Sequence, residues 1–141
     1  MMLRILSVFA IAALMYGCGS SDSSKSAATL DMHTWEVVQI GAEGLELVPE
    51  EARPTFKFDS KTMKVSGSTG CNTYSGGYDL DLTGMRFGPA AVTKKACPEM
   101  TIETAFLDAM SKTVKVDFDN SMLKLIDASG LELLEAVPQS K

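Results

Sequence analysis

From Thr34 onward, apolar and polar residues alternate in short runs with the period of two that belongs to half-buried β-strands. Trp35-Glu36-Val37-Val38-Gln39-Ile40 predicts a first strand, with Trp35, Val37 and Gln39 opposite Glu36, Val38 and Ile40. Gly41 to Glu51 is acidic and turn-rich, with at most a short strand at Leu45–Val48. Pro54–Asp59 and Thr62–Gly67 flank a turn at Ser60-Lys61 and predict a hairpin, Phe56 and Phe58 on one face and Lys57 on the other. Gly67 to Gly77 carries four glycines among Ser, Thr and Asn, the composition of a structured turn. Tyr78–Leu82, Met85–Phe87 and Ala91–Lys94 each read as a short strand. Val114–Phe118, Met122–Ile126 and Leu131–Val137 close the chain as a three-strand meander.

One stretch changes period. Ile102, Phe106, Ala109, Met110 and Thr113 or Val114 recur at helical spacing, which predicts an amphipathic helix near 99–113. Pro98 and Glu99 suit its first turn, where a missing N–H is harmless and a carboxylate opposes the positive end of the dipole; Lys112 suits the last turn. The expected fold is mainly β (α+β): a small antiparallel, barrel-like curved sheet of about eight short strands with one helix.

Before Thr34 the pattern is different. Met1-Met2-Leu3-Arg4, an apolar run from Ile5 to Tyr16, and then Gly17-Cys18 follow the tripartite plan of an export signal. The run falls short of the about 20 apolar residues that a transmembrane helix needs. A Ser-rich polar stretch follows it, giving an expected division into a signal peptide (1–17), a flexible linker (18–33) and a domain (34–138). Cys18 resembles the lipobox cysteine of bacterial lipoproteins, with Gly17 at the small −1 position, while Met15 and Tyr16 depart from the usual residues. That resemblance implies lipidation at Cys18, palmitate-type acylation, and a membrane held through a lipid anchor. Each buried methylene adds ~0.8 kcal/mol of membrane affinity. With Gly19 after the cysteine, it implies the outer membrane of a cell envelope, facing the periplasm or the surface.

The whole chain is 45% hydrophobic and 22% charged, with a formal net charge of −5, suited to one core-forming domain. Its basic residues are scattered, and Lys94-Lys95 suits an exposed loop or strand edge; no nucleic-acid role is expected. Lipidating Cys18 would leave two of the three cysteines, Cys71 and Cys97, in an oxidising compartment. They form a disulfide if close in space, or remain two buried free thiols.

Catalytic and metal constellations lack parts. His33 is the single histidine and lies between linker and first strand, so no triad, zinc site or other cofactor is expected. Asp79 and Asp81 suggest a calcium loop until its closing acidic position falls on Ala90. Glu99 and Glu103, one helical turn apart, read as a solvated polar face. Ser66–Gly70 lacks the lysine and spacing of a phosphate loop.

Gly70-Cys71-Asn72-Thr73-Tyr74-Ser75-Gly76-Gly77-Tyr78, followed by Thr93-Lys94-Lys95-Ala96-Cys97, resembles the signature of the META/HslJ family of envelope proteins. Trp35, Pro54–Phe58, Phe106-Leu107 and the Leu123–Leu131 pattern extend the resemblance over roughly residues 34–137. It implies an antiparallel barrel-like fold with a helix, export, association with heat or antibiotic stress response, and no established catalysis. Within the motif, Cys71 and Cys97 are the expected disulfide, and Asn72, Tyr74 and Tyr78 a possible binding set. The expected function is therefore a non-enzymatic, monomeric, lipid-anchored envelope protein contributing to stress tolerance. A small-molecule or peptide-binding barrel mouth near Tyr74 and Tyr78 is one alternative. A hydrolase inhibitor presenting the Gly67–Gly77 loop is another.

Overall fold

The computed structural model describes residues 30–81, 83–98, 100–118 and 121–140. The alternating runs pair into a single antiparallel sheet: β1 (Thr34–Ile40), β2 (Glu43–Gly44), β3 (Thr55–Asp59), β4 (Lys64–Ser68), β5 (Thr73–Asp81), β6 (Gly84–Val92), β7 (Lys115–Phe118), β8 (Leu123–Ile126) and β9 (Glu132–Pro138). Helix α1 (Thr101–Lys112) lies between β6 and β7. Strand order is β6-β5-β4-β3-β1-β9-β8-β7, with the two-residue β2 hooked onto β1. β1 thus sits mid-sheet, paired with β3 on one side and β9 on the other, and α1 carries the chain from one edge strand to the other.

The sheet curls into a half-barrel whose edges meet where the Met85 N–H donates to the Val114 carbonyl at 3.1 Å. Gly84 permits that approach: a Cβ there would stand 2.0 Å from the same carbonyl oxygen. The barrel-like α+β expectation therefore holds, with nine strands and the helix Thr101–Lys112 among the described residues where about eight strands and one helix were expected.

The concave face is filled. Trp35, Phe56, Val65, Met85, Phe106, Leu123 and Leu125 have no exposed surface. Phe56 stacks with Phe58 and tilts against Phe106 at 5.0 Å, so the hairpin β3–β4 and the apolar stripe of α1 share one core. Burying each large side chain of this kind contributes about 1.5–3 kcal/mol.

Several boundaries shift from the expected ones. Gly67 lies in β4, and Gly76 and Gly77 in β5, so only Thr69–Asn72 forms the turn. Gly76 serves close packing instead, because a Cβ there would come within 3.2 Å of the Pro89 carbonyl oxygen. The strands expected at 85–87 and 91–94 are one continuous β6, and the β5–β6 pairing changes register between Gly76 and Tyr78. Leu45–Val48 forms no strand. Met100 caps α1, so Pro98 precedes the helix, and Glu99 lies outside the described residues.

Residues 30–33, expected in the linker, pack onto the domain. Leu30 is fully buried and its carbonyl accepts the Trp35 indole N–H at 3.1 Å, while the Asp31 carboxylate accepts the Ser60 N–H at 2.9 Å. Both faces of β1 are covered as well. Glu36 is buried against Arg53, whose Nη1 donates to Glu36 Oε1 at 2.8 Å and whose Nε donates to the Val48 carbonyl at 2.9 Å.

Candidate functional site

β4 and β5 are joined by Thr69-Gly70-Cys71-Asn72. Gly70 has φ 99°, a conformation that L side chains rarely adopt, and a Cβ there would meet the Ala52 carbonyl oxygen at 2.7 Å. The turn directs Asn72 inward, where its side chain is saturated. Its Oδ1 accepts from the Thr93 hydroxyl at 2.9 Å and the Lys95 N–H at 2.7 Å, and its Nδ2 donates to Glu103 Oε2 at 2.9 Å. The Thr69 hydroxyl accepts from the Asn72 N–H at 2.9 Å and donates to the Glu103 carboxylate. Thr93 is tied back once more, donating its N–H to the Thr73 carbonyl at 3.0 Å. One network, buried at Thr69, Asn72 and Glu103, thus joins the β4–β5 turn, the segment after β6 and the first turn of α1.

The Cys71–Cys97 disulfide ties the first two of these pieces covalently, the β4–β5 turn and the segment after β6, with Cα atoms 6.3 Å apart. The free-thiol alternative is not what the fold adopts. Cys71 and Cys97 are paired as expected, whereas Asn72 stands apart from Tyr74 and Tyr78, and Glu103 does not stand on a solvated face: it is only 8% exposed. Hydrogen bonds from Thr69 first and then Asn72 hold its carboxyl below the usual carboxylate range, against the opposing effect of desolvation. Thr69, Thr93 and Glu103 are the site residues that sequence reasoning missed. Glu103 was detectable, since it precedes Phe106 by three and Met110 by seven positions and so shares the buried side of the helix.

Tyr74 and Tyr78 do not line an open mouth. Both point into the filled core, Tyr74 donating its hydroxyl to the Thr55 carbonyl at 2.9 Å and Tyr78 packing edge-on against Phe58 at 5.4 Å. Burial raises both phenol pKa values, that of Tyr74 well above the ordinary one. The Tyr78 hydroxyl is buried without a hydrogen-bond partner among the described residues. The barrel-mouth reading loses its cavity. The inhibitor reading loses its protruding loop, because most of Gly67–Gly77 is paired strand and both Thr69 and Asn72 are buried.

The remaining candidates fall where simpler readings put them. Lys94 and Lys95 are exposed, and Asp79 and Asp81 alternate outward along β5. Asp81 accepts the Thr83 and Gly84 N–H groups at 2.7 and 3.1 Å, an ordinary turn cap. His33 packs edge-on against Trp35 at 5.6 Å. Among the described residues no group of three or more His, Cys, Asp or Glu side chains is placed to hold a metal, and no helix is long and apolar enough to cross a membrane. Cys18 lies outside the described residues.

Residues 28–139 match the family model described as the META domain. The chain belongs to the META domain family. A comparison with curated proteins finds no significant match. Among solved structures, the fold resembles the NMR structure of a protein from Burkholderia xenovorans, with a TM-score of 0.65 and 22% identity over 99% of this chain and 100% of that one. It also resembles a crystal structure of a DUF4847 family protein from Bacteroides vulgatus ATCC 8482, with a TM-score of 0.61 and 13% identity over 82% of this chain and 99% of that one. In this META domain, the family signature recognised in the sequence coincides with the Asn72 clasp and its disulfide.

Proposed function

We propose that this META-domain protein is a lipid-anchored envelope protein, held in the outer membrane through Cys18, that contributes to stress tolerance by binding and not by turnover. The observation that carries the reading is the Cys71–Cys97 disulfide at the centre of the family motif. Such crosslinks persist in oxidising compartments, which agrees with an export-type N-terminus followed by a cysteine. The acidic charge balance, with no basic stripe, agrees with a partner other than nucleic acid.

Intact mass of the protein extracted from membranes tests the anchor. The expected species begins at Cys18, carries a diacylglycerol and an acyl chain, and lacks the two thiol hydrogens of Cys71 and Cys97. A soluble species, cut elsewhere and unacylated, would overturn it. The stress role is tested separately: a deletion strain is expected to be more sensitive to heat, detergents or hydrophobic antibiotics, and unchanged sensitivity to all three rejects the role.

A further inference from the structure

Beside the clasp lies a cleft of about 300 Å³, within the range of small-ligand sites. One wall is the loop carrying Leu47, Val48, Pro49 and Ala52; the other is formed by Thr69-Gly70-Cys71 and by Ile102 and Glu103 of α1. The lining is apolar apart from Thr69 and a single formally charged residue, Glu103. Leu47 is 100% exposed, so the loop wall presents a large apolar side chain that no described residue covers.

Glu103 is, with Glu36, one of two carboxylates buried among the described residues. Its hydrogen bonds come from neutral donors, the Thr69 hydroxyl and the Asn72 amide. The nearby cation is committed elsewhere: Arg53 pairs with Glu36 and donates to the Val48 and Glu46 carbonyls. Among the described residues no lysine or arginine forms an ion pair with Glu103, whereas the other buried carboxylate, Glu36, pairs with Arg53. A mostly buried carboxylate gains most from a counter-charge, because the low-dielectric surroundings weaken screening.

We propose that this cleft is a binding site for a small organic cation with an apolar body, such as an alkylammonium, its charge facing Glu103 and its hydrocarbon against Leu47, Val48 and Ile102. Charge complementarity selects the cation over a neutral or anionic ligand, and the apolar walls select a hydrocarbon body over a bare metal ion. The proposal deepens and rests on the reading that the protein acts by binding, but it does not depend on the lipid anchor. The disulfide and the Asn72 network hold one wall in place before the ligand arrives, which lowers the ordering cost of binding.

Titration of the ¹⁵N-labelled full chain in a non-ionic detergent with hexylammonium, hexanol and hexanoate tests the proposal. The expected result is saturable amide shifts at Leu47, Gly70, Cys71, Ile102 and Glu103 with hexylammonium, about tenfold weaker with hexanol and absent with hexanoate. Glu103→Gln should weaken hexylammonium binding by about tenfold while leaving hexanol unchanged. Should that variant fail to fold, Leu47→Lys decides, since it places a cation at a fully exposed rim position and should weaken hexylammonium binding with the core untouched. Equal affinity for hexylammonium and hexanol, shifts scattered over the acidic surface, or no effect from either variant would overturn the proposal. None of these results alters the mass that reports the anchor, so the two readings fail separately.

Discussion

Two tyrosines four positions apart on β5 give a controlled comparison at the scale of a single hydroxyl. Tyr74 donates to the Thr55 carbonyl, so Tyr74→Phe removes a bond and leaves a part-buried acceptor, at a cost of about 1–2 kcal/mol. The Tyr78 hydroxyl is buried with no partner among the described residues, so Tyr78→Phe is expected to be neutral or to stabilise by up to about 1 kcal/mol. Urea unfolding of the two variants should therefore shift the midpoint in opposite directions or shift it for Tyr74→Phe alone. Glu103 supplies a pH test. Its folded carboxyl lies below the ordinary value of 4.5, so its contribution is complete above that pH and disappears as pH falls through the folded value. Subtracting the stability curve of Glu103→Gln from that of the native chain should give a difference that shrinks on acidification below about 4.5; a difference that grows there would contradict the ionised clasp.

Elements follow from residues where alternation is uninterrupted. The β3–β4 hairpin, the closing meander and the stripe Phe106-Ala109-Met110 were all legible, because each side chain's face is set by the period of its own segment. The Gly67–Gly77 stretch was misread because glycine signals both turns and tight packing, and local sequence does not distinguish them. Gly67 is the clearest case: a Cβ there would stand 2.1 Å from the Thr55 carbonyl oxygen, the acceptor that Tyr74 uses. Gly130 is the contrast, with φ 87° and open space around the position of a Cβ. Gly130→Ala should cost about 1–2 kcal/mol from backbone strain alone. Gly67→Ala should cost more, since strand separation must change, and its amide spectrum should shift along β3 and β4. Equal costs would show that the close approach at Gly67 relaxes freely. The candidate site was half legible for a related reason. Cys71, Asn72 and Cys97 stand in one recognisable motif, whereas Thr69 and Glu103 are joined only by the packing of α1 against the β4–β5 turn.

Across the whole molecule, the sheet order leaves β6 and β7 as edges joined by one described backbone hydrogen bond, and the helical crossover between them closes the half-barrel. The crossover begins at the segment that the disulfide and the Asn72 network attach to the β4–β5 turn. Losing the disulfide therefore removes two things: the restriction on a loop closed over 26 residues, worth roughly 3.5 kcal/mol in the chain-entropy model, and the covalent tie at the start of the crossover. Against a typical domain stability of about 5–15 kcal/mol, that loss is large without being fatal. The Cys71→Ser/Cys97→Ser chain should stay folded, lose about that much unfolding free energy in a urea titration, and show its earliest amide-exchange losses in residues 93–98 and the first turn of α1. Combining it with Asn72→Ala separates the covalent clamp from the hydrogen-bonded one. Because both hold the same segment, the combined loss should depart from the sum of the single losses. Strict additivity would mean that the disulfide and the buried network act on different parts of the fold.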